Sequence, residues 1–211
     1  MPLTLDYMRS IVLSRLDDAD FETTYLDQAL NEAQWDLLNK RNLTFLETSQ
    51  TAVMLAGTNT VPYPSDIRTL TGVRVVAAGI QSYDITENFV DYADFQLSNY
   101  PQTAVTTPLW WTTYAGNMIF PGLADKDYTV TFDYIKKASR VDGVTVNTFL
   151  IPDEFQELLK IGAYMRIAKR EDDYDVKNQE QLDFEKLKID MIHAYSRNRG
   201  PRNKHVMRVI R

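Results

Sequence analysis

Asp127-Tyr128-Thr129-Val130-Thr131-Phe132-Asp133-Tyr134-Ile135 is the stretch whose reading decides the fold. Tyr128, Val130, Phe132 and Tyr134 alternate with Thr and Asp, the period-two pattern of a strand buried on one face. Working back from it, Pro121-Gly122 reads as a turn, Met118-Ile119-Phe120 as a strand, Ala115-Gly116-Asn117 as a turn and 109–114 as a further strand. Ile67 to Ala78 reads as another strand, ended by Gly79. Val61-Pro62-Tyr63-Pro64 can only be edge strand or loop, because proline cannot donate to a ladder. Residues 44–56 alternate loosely and are rich in Thr, Val, Phe and Leu, with a turn at 57–59. Residues 80–108 are the least patterned part; 91–97 reads as a short helix and 99–108 as a loop.

Helical spacing brackets this block on both sides. Leu5, Met8, Val12 and Leu16 predict a helix over 4–16, capped by Thr4. Leu26, Leu30, Ala33 and Leu37 predict a second over 24–40, capped by Thr23 or Thr24. The short connection between them predicts an antiparallel hairpin. Pro152-Asp153-Glu154 opens a third helix, with Leu158, Ile161, Met165 and Ala168 on its apolar face. Glu171-Asp172-Asp173 breaks it or starts the next, which carries Phe184, Leu187, Met191 and Ala194. The order predicts an α+β fold: a helical bundle made from the N-terminal hairpin (1–42) and the C-terminal helices (151–195), a central antiparallel β lobe (43–150), and an extended basic tail (196–211).

Composition narrows the function classes. The 211 residues hold no cysteine, which excludes disulfides and thiolate metal sites. No stretch approaches the apolar length of a membrane span, and the N-terminus has no basic segment before an apolar run, so it does not read as a signal peptide. There is no Walker loop, GxGxxG, GxSxG or HExxH pattern. The two histidines, His193 and His205, sit near the end of the last predicted helix and in the tail. The acidic runs Asp17, Asp18, Asp20, Glu22 and Glu171, Asp172, Asp173, Asp175 lack the glycine and spacing of a calcium loop and read as solvated turns. No catalytic residue, cofactor site or metal site is assigned. Trp110-Trp111 lies on a predicted strand, so one ring is expected in the core and the other outward, as an interface anchor.

The net charge of −6 conceals an asymmetry. Arg197, Arg199, Arg202, Lys204, Arg208 and Arg211 put six of the 23 basic residues in the tail, with no acid among them; the remaining 17 face 29 acids. Val206, Met207, Val209 and Ile210 add apolar groups that a plain charge tail does not need. The tail reads as an arm that docks a protein partner, nucleic acid being the second reading and plain solvation a third.

Three segments resemble the head-to-tail adaptor (connector) family of tailed bacteriophages, including the tail tubular protein A-like adaptors of short-tailed phages. They are Tyr25-Leu26-Asp27-Gln28-Ala29-Leu30-Asn31-Glu32-Ala33-Gln34, the run from Trp111 through Tyr114-Ala115-Gly116-Asn117-Met118-Ile119-Phe120-Pro121-Gly122 to Tyr134, and Ile151-Pro152-Asp153-Glu154-Phe155-Gln156-Glu157-Leu158-Leu159. Together they span most of 20–195. The resemblance implies a non-enzymatic virion protein of the neck, made in the host bacterial cytoplasm. It implies a homo-oligomeric ring, typically of twelve copies, that joins the portal protein to a tail or nozzle protein and extends the DNA channel, DNA passing through without specific binding. It also implies that residues 196–211 contact the portal. The alternative is a nucleic-acid-binding or regulatory module that uses the basic tail.

Overall fold

The computed structural model describes residues 3–16, 21–39, 41–79, 81–97, 104–171 and 174–196. Within these the fold is α+β, as the sequence predicts: helices at both ends of the chain and antiparallel strands between. Of the extended tail, 196–211, Ser196 is described and residues 197–211 lie outside the described residues.

Helix α1 (Leu5–Leu16) buries Leu5, Met8 and Val12. Helix α2 (Thr23–Leu38) buries Leu26, Ala29, Leu30, Ala33, Gln34, Leu37 and Leu38. Neither Thr23 nor Thr24 caps it. Glu22 is the N-cap, its side chain makes no capping bond, and its carbonyl accepts from Tyr25 and Leu26. Helix α2 packs most extensively on α4 (Gln156–Arg170), and α4 in turn on α5 (Tyr174–Tyr195). A single 3-10 turn, Asp153–Phe155, leads into α4 after Pro152. Ion pairs tie the helices together: Arg9 reaches Asp27 through two bonds of 2.6 and 2.5 Å, and Arg166 pairs with Asp36.

Strand β1 (Glu47–Met54) follows a 3-10 turn at Thr44–Leu46. After it come β2 (Thr60–Pro62), β3 (Ile67–Val76), β4 (Tyr83–Asp84), helix α3 (Tyr92–Leu97), β5 (Val105–Thr106), β6 (Thr112–Tyr114), β7 (Asn117–Ile119), β8 (Leu123–Ala124) and β9 (Tyr128–Lys136). The main sheet runs β1-β9-β3-β4, so the decisive stretch is a central strand, paired on both sides. A second sheet, β2-β7-β6, places Pro62 on an edge strand. A two-residue parallel pair joins β5 to β8. The turn between β6 and β7 has Ala115 at φ +48° and Gly116 at φ +76°. Positive φ at both central residues is the backbone twist a two-residue hairpin demands.

There are two apolar cores. One gathers α1, α2, α4 and α5 together with Leu43, Leu46, Ile135, Ala138, Val141, Phe149 and Ile151. The other fills the lobe with Met54, Val61, Val73, Val75, Met118, Phe120 and the inward face of β9. Residues 138–151, which have no regular structure apart from isolated bridging, therefore run over the helices. They are held there by two amides of α2. Asn31 Nδ2 donates to the Val141 carbonyl at 3.0 Å while its Oδ1 accepts from the Val141 amide at 2.7 Å. Gln34 donates to the Ser139 carbonyl at 3.1 Å and accepts from the Leu150 amide at 2.7 Å.

Candidate docking surfaces

The basic arm Arg197, Arg199, Arg202, Lys204, Val206, Met207, Arg208, Val209, Ile210 and Arg211 falls outside the described residues, but its root does not. Ser196 forms an antiparallel bridge with Leu43. The preceding Tyr195 ring packs edge-on against Phe45, with centroids 5.0 Å apart, and against Phe155 at 6.1 Å. Its hydroxyl donates to Glu154 at 2.7 Å, which raises the phenol's pKa. Contact among three half-buried rings from separate segments, with the Ser196–Leu43 bridge, fixes the root of the arm next to the junction of bundle and lobe.

That junction has a second fastening, which sequence reading missed. The Arg68 guanidinium, at the start of β3, donates to the Leu38 carbonyl at the end of α2, to the Arg41 carbonyl at 2.6 Å and to Asn42 Oδ1 at 2.9 Å. The last carbonyls of a helix have no partner within it, and a cation there also meets the negative end of the dipole. Desolvation lowers the Arg68 pKa. Beside it, Tyr134 donates to Asp66 at 2.8 Å, and burial together with this bond pushes its pKa up to about 12. Nothing in the sequence pointed to this contact: Arg68 opens a predicted strand well beyond the end of the predicted helix, and the pairing depends on the fold.

One of Trp110 and Trp111 is buried and the other exposed, but not through a strand: β6 begins only at Thr112, and Trp111 makes an isolated bridge to Phe89. Trp111 is 4% exposed, in the lobe core, with its indole N–H on the Ile85 carbonyl at 2.8 Å; Trp110 is 45% exposed. Of the two candidate interface rings only Trp110 is at the surface; the burial of Trp111 removes it from that surface. Phe89 stacks edge-on against Trp111, and Tyr92 lies flat on Tyr114 at 4.2 Å. The backbone holds 88–90 against 109–111 through Val90 N–H to the Trp111 carbonyl and Asn88 Nδ2 to the Leu109 carbonyl. Phe89, Leu109, Trp110 and Tyr114 thus remain exposed at one end of the lobe.

Among the described residues no three His, Asp or Glu side chains come together as a metal site, and no helix is long and apolar enough to cross a membrane. His193 is exposed on the last turn of α5; Glu22 lies 4.0 Å from Arg170. Asp17, Asp18, Asp20, Asp172, Asp173, His205 and the side chain of Asp175 lie outside the described residues.

Compared with known families, the chain falls among the structural adaptors of bacteriophages. It belongs to the SU10 adaptor protein family, whose model matches residues 4–207. A comparison with curated proteins finds no match.

Proposed function

We propose that this chain is a non-enzymatic head-to-tail adaptor that forms a ring, of twelve copies, in the neck of a tailed phage. The ring joins the portal protein to a tail or nozzle protein and extends the channel through which DNA is ejected. The observation that carries the reading is the root of the arm. Family membership supplies the adaptor role, and a basic, partly apolar arm leaving a fixed point on an acidic body is suited to docking a partner at a set angle. Excess acid on the body also suits a channel that DNA must slide through, since a basic wall would bind phosphates in a salt-dependent grip.

The test is co-assembly with the cognate portal protein, viewed by negative-stain microscopy, for the full chain and for a chain ending at Ser196. Rings stacked on portals, lost or weakened in the shortened chain, are expected. Rings that persist without the arm would move the docking contacts to the folded body. Absence of any association, combined with salt-sensitive DNA binding that disappears on truncation, would instead favour the nucleic-acid-binding reading.

A further inference from the structure

Residues 75–125 contain no lysine or arginine, but they contain Asp84, Glu87, Asp91, Asp94 and Asp125. Three of these acids lie on the same short run, 84–91, as the exposed Phe89, and the backbone bonds to 109–111 bring Leu109 and Trp110 alongside. Glu87 and Asp91 are exposed. This part of the lobe therefore sets an apolar group, Phe89, Leu109 and Trp110, beside the exposed acids Glu87 and Asp91; the nearest cations in sequence, Arg74 and Lys126, are engaged by Asp133 and Asp125.

The helical unit carries the opposite combination. Trp35 on α2 is 60% exposed. It borders a hollow of about 580 Å³ between α2 and the segment 137–140. Lys136, Lys137 and Arg140 place three cations within five residues there. Lys137 and Arg140 are exposed and make no ion pair with the described residues around them. The one acid lining the hollow, Glu32, lies 3.6 Å from Arg166 and accepts from Gln28 at 2.8 Å. The hollow is thus an aromatic wall flanked by free positive charge, in a body that is otherwise acidic.

The two surfaces cannot meet within one chain. Ile67 pairs with Lys136 at one end of β3, and Arg74 pairs with Asp84 near the other. Seven residues of strand separate these pairs, roughly 23 Å at the rise of an extended chain. Opposite charge and exposed aromatic rings on two distinct patches are what a head-to-tail contact between identical copies requires, and such contacts close into rings when the rotation allows.

We infer that the acidic lobe end of one copy, through Glu87, Asp91 and Trp110, seats in the Trp35–Lys137–Arg140 hollow of a second copy of this chain. The inference rests on the ring reading and assigns the surfaces that build it. Because the chain has no cysteine, introduced thiols are unique reporters. The full chain carrying both Glu87→Cys and Arg140→Cys, oxidised after assembly alone or on the portal, is expected to give a covalent ladder of multimers. Either single variant, or a pair of Arg140→Cys with Val144→Cys, is expected to give none.

In parallel, the double reversal Lys137→Glu with Arg140→Glu is expected to weaken self-association by about tenfold or more, as like charges across an interface do. Adding Glu87→Lys and Asp91→Lys to the same chain is expected to restore it. Rings that form normally in the wild type, with no ladder and no response to charge reversal, would overturn the assignment while leaving the ring intact. A wild-type chain that stays monomeric by sedimentation, alone and with the portal, would overturn the ring reading and this contact together.

Discussion

Gln34 and Thr112 are the two polar side chains fully buried among the described residues, and their circumstances are opposite. Gln34 satisfies a carbonyl and an amide of the segment that crosses the helices. Gln34→Ala would strand both, at a cost of about 2–3 kcal/mol, because a buried group left without a partner bears its full desolvation penalty. Urea denaturation read by circular dichroism should show the midpoint fall with the slope unchanged. Thr112 Oγ1 has no hydrogen-bond partner. Thr112→Val keeps the shape and removes the orphan oxygen, so stability should rise by about 1 kcal/mol; a fall in the same assay would mean that the hydroxyl has a role in the core. The run Leu30-Asn31-Glu32-Ala33-Gln34 was legible as a helix with an apolar face, and as a family resemblance. That Asn31 and Gln34 exist to hold 139–150 was not, because an amide on a helix reads as solvent-facing until its partner's position is known.

At the level of elements, the crossing of α2 and α4 turns on Gly162. A Cβ added there would sit 3.0 Å from the Ala33 Cβ and 3.2 Å from the Phe184 ring. Small residues let the backbones approach, and ridge-into-groove packing leaves no room for more. Gly162→Leu should destabilise the bundle by about 3 kcal/mol and lower the thermal midpoint, measurable by calorimetry; Gly162→Ala, which needs a shift of only a few tenths of an ångström, should cost far less. The turn at 142–146 gives a pH-dependent counterpart. Asp142 Oδ1 accepts from the amides of Val144, Thr145 and Val146, with Val146 and Val144 contributing most, and its pKa is lowered. A lowered folded pKa gives stability present above the ordinary aspartate value and lost as pH falls through the folded one. The acid limb of the stability profile should therefore flatten in Asp142→Asn; an unchanged limb would place the effect elsewhere.

Long periodic elements were readable because periodicity needs several turns or residue pairs to register. The helices α1, α2, α4 and α5 and the strands β3 and β9 meet that condition. Strands β4 and β5 have two residues each, too few for alternation to be visible, and this is why 80–108 stayed unpatterned. The cap predicted from Thr23 or Thr24 failed because the chain enters α2 with Glu22 at the boundary instead.

For the whole molecule, the junction between the two cores governs how lobe and bundle respond together. Tyr83 and Tyr134 are both pushed up to about 12 by burial, Tyr134 also by its bond to Asp66. A phenol whose folded pKa exceeds its unfolded value contributes stability that is complete below about pH 10 and lost as pH rises through about 12. Phenolate absorbance should place Tyr83 and Tyr134 in a late class, and Tyr134→Phe should diminish that class and weaken the alkaline loss of stability. The basic tail was visible in the sequence as charge, and its chemistry could be weighed there. Its point of origin could not, since Leu43 and Ser196 stand 153 positions apart and meet only once the helices close.

Among the described residues the chain passes between the two cores twice, at the start of β1 and the end of β9, and these strands run side by side through eight unbroken pairs from Glu47–Ile135 to Met54–Tyr128. Covalently this is a two-strand link, set in a sheet that is three strands wide at the same level, since Ile67 of β3 lies opposite Lys136 and Thr69 opposite Ile135. With strands roughly 4.8 Å apart, it yields to bending out of its own plane and resists bending within it. Arg68, reaching back from β3 to the end of α2, tethers a third strand and stiffens one side. A pull on the lobe along the strands draws both crossings in the same direction, so the load falls on covalent backbone while the ladder between them is spared shear.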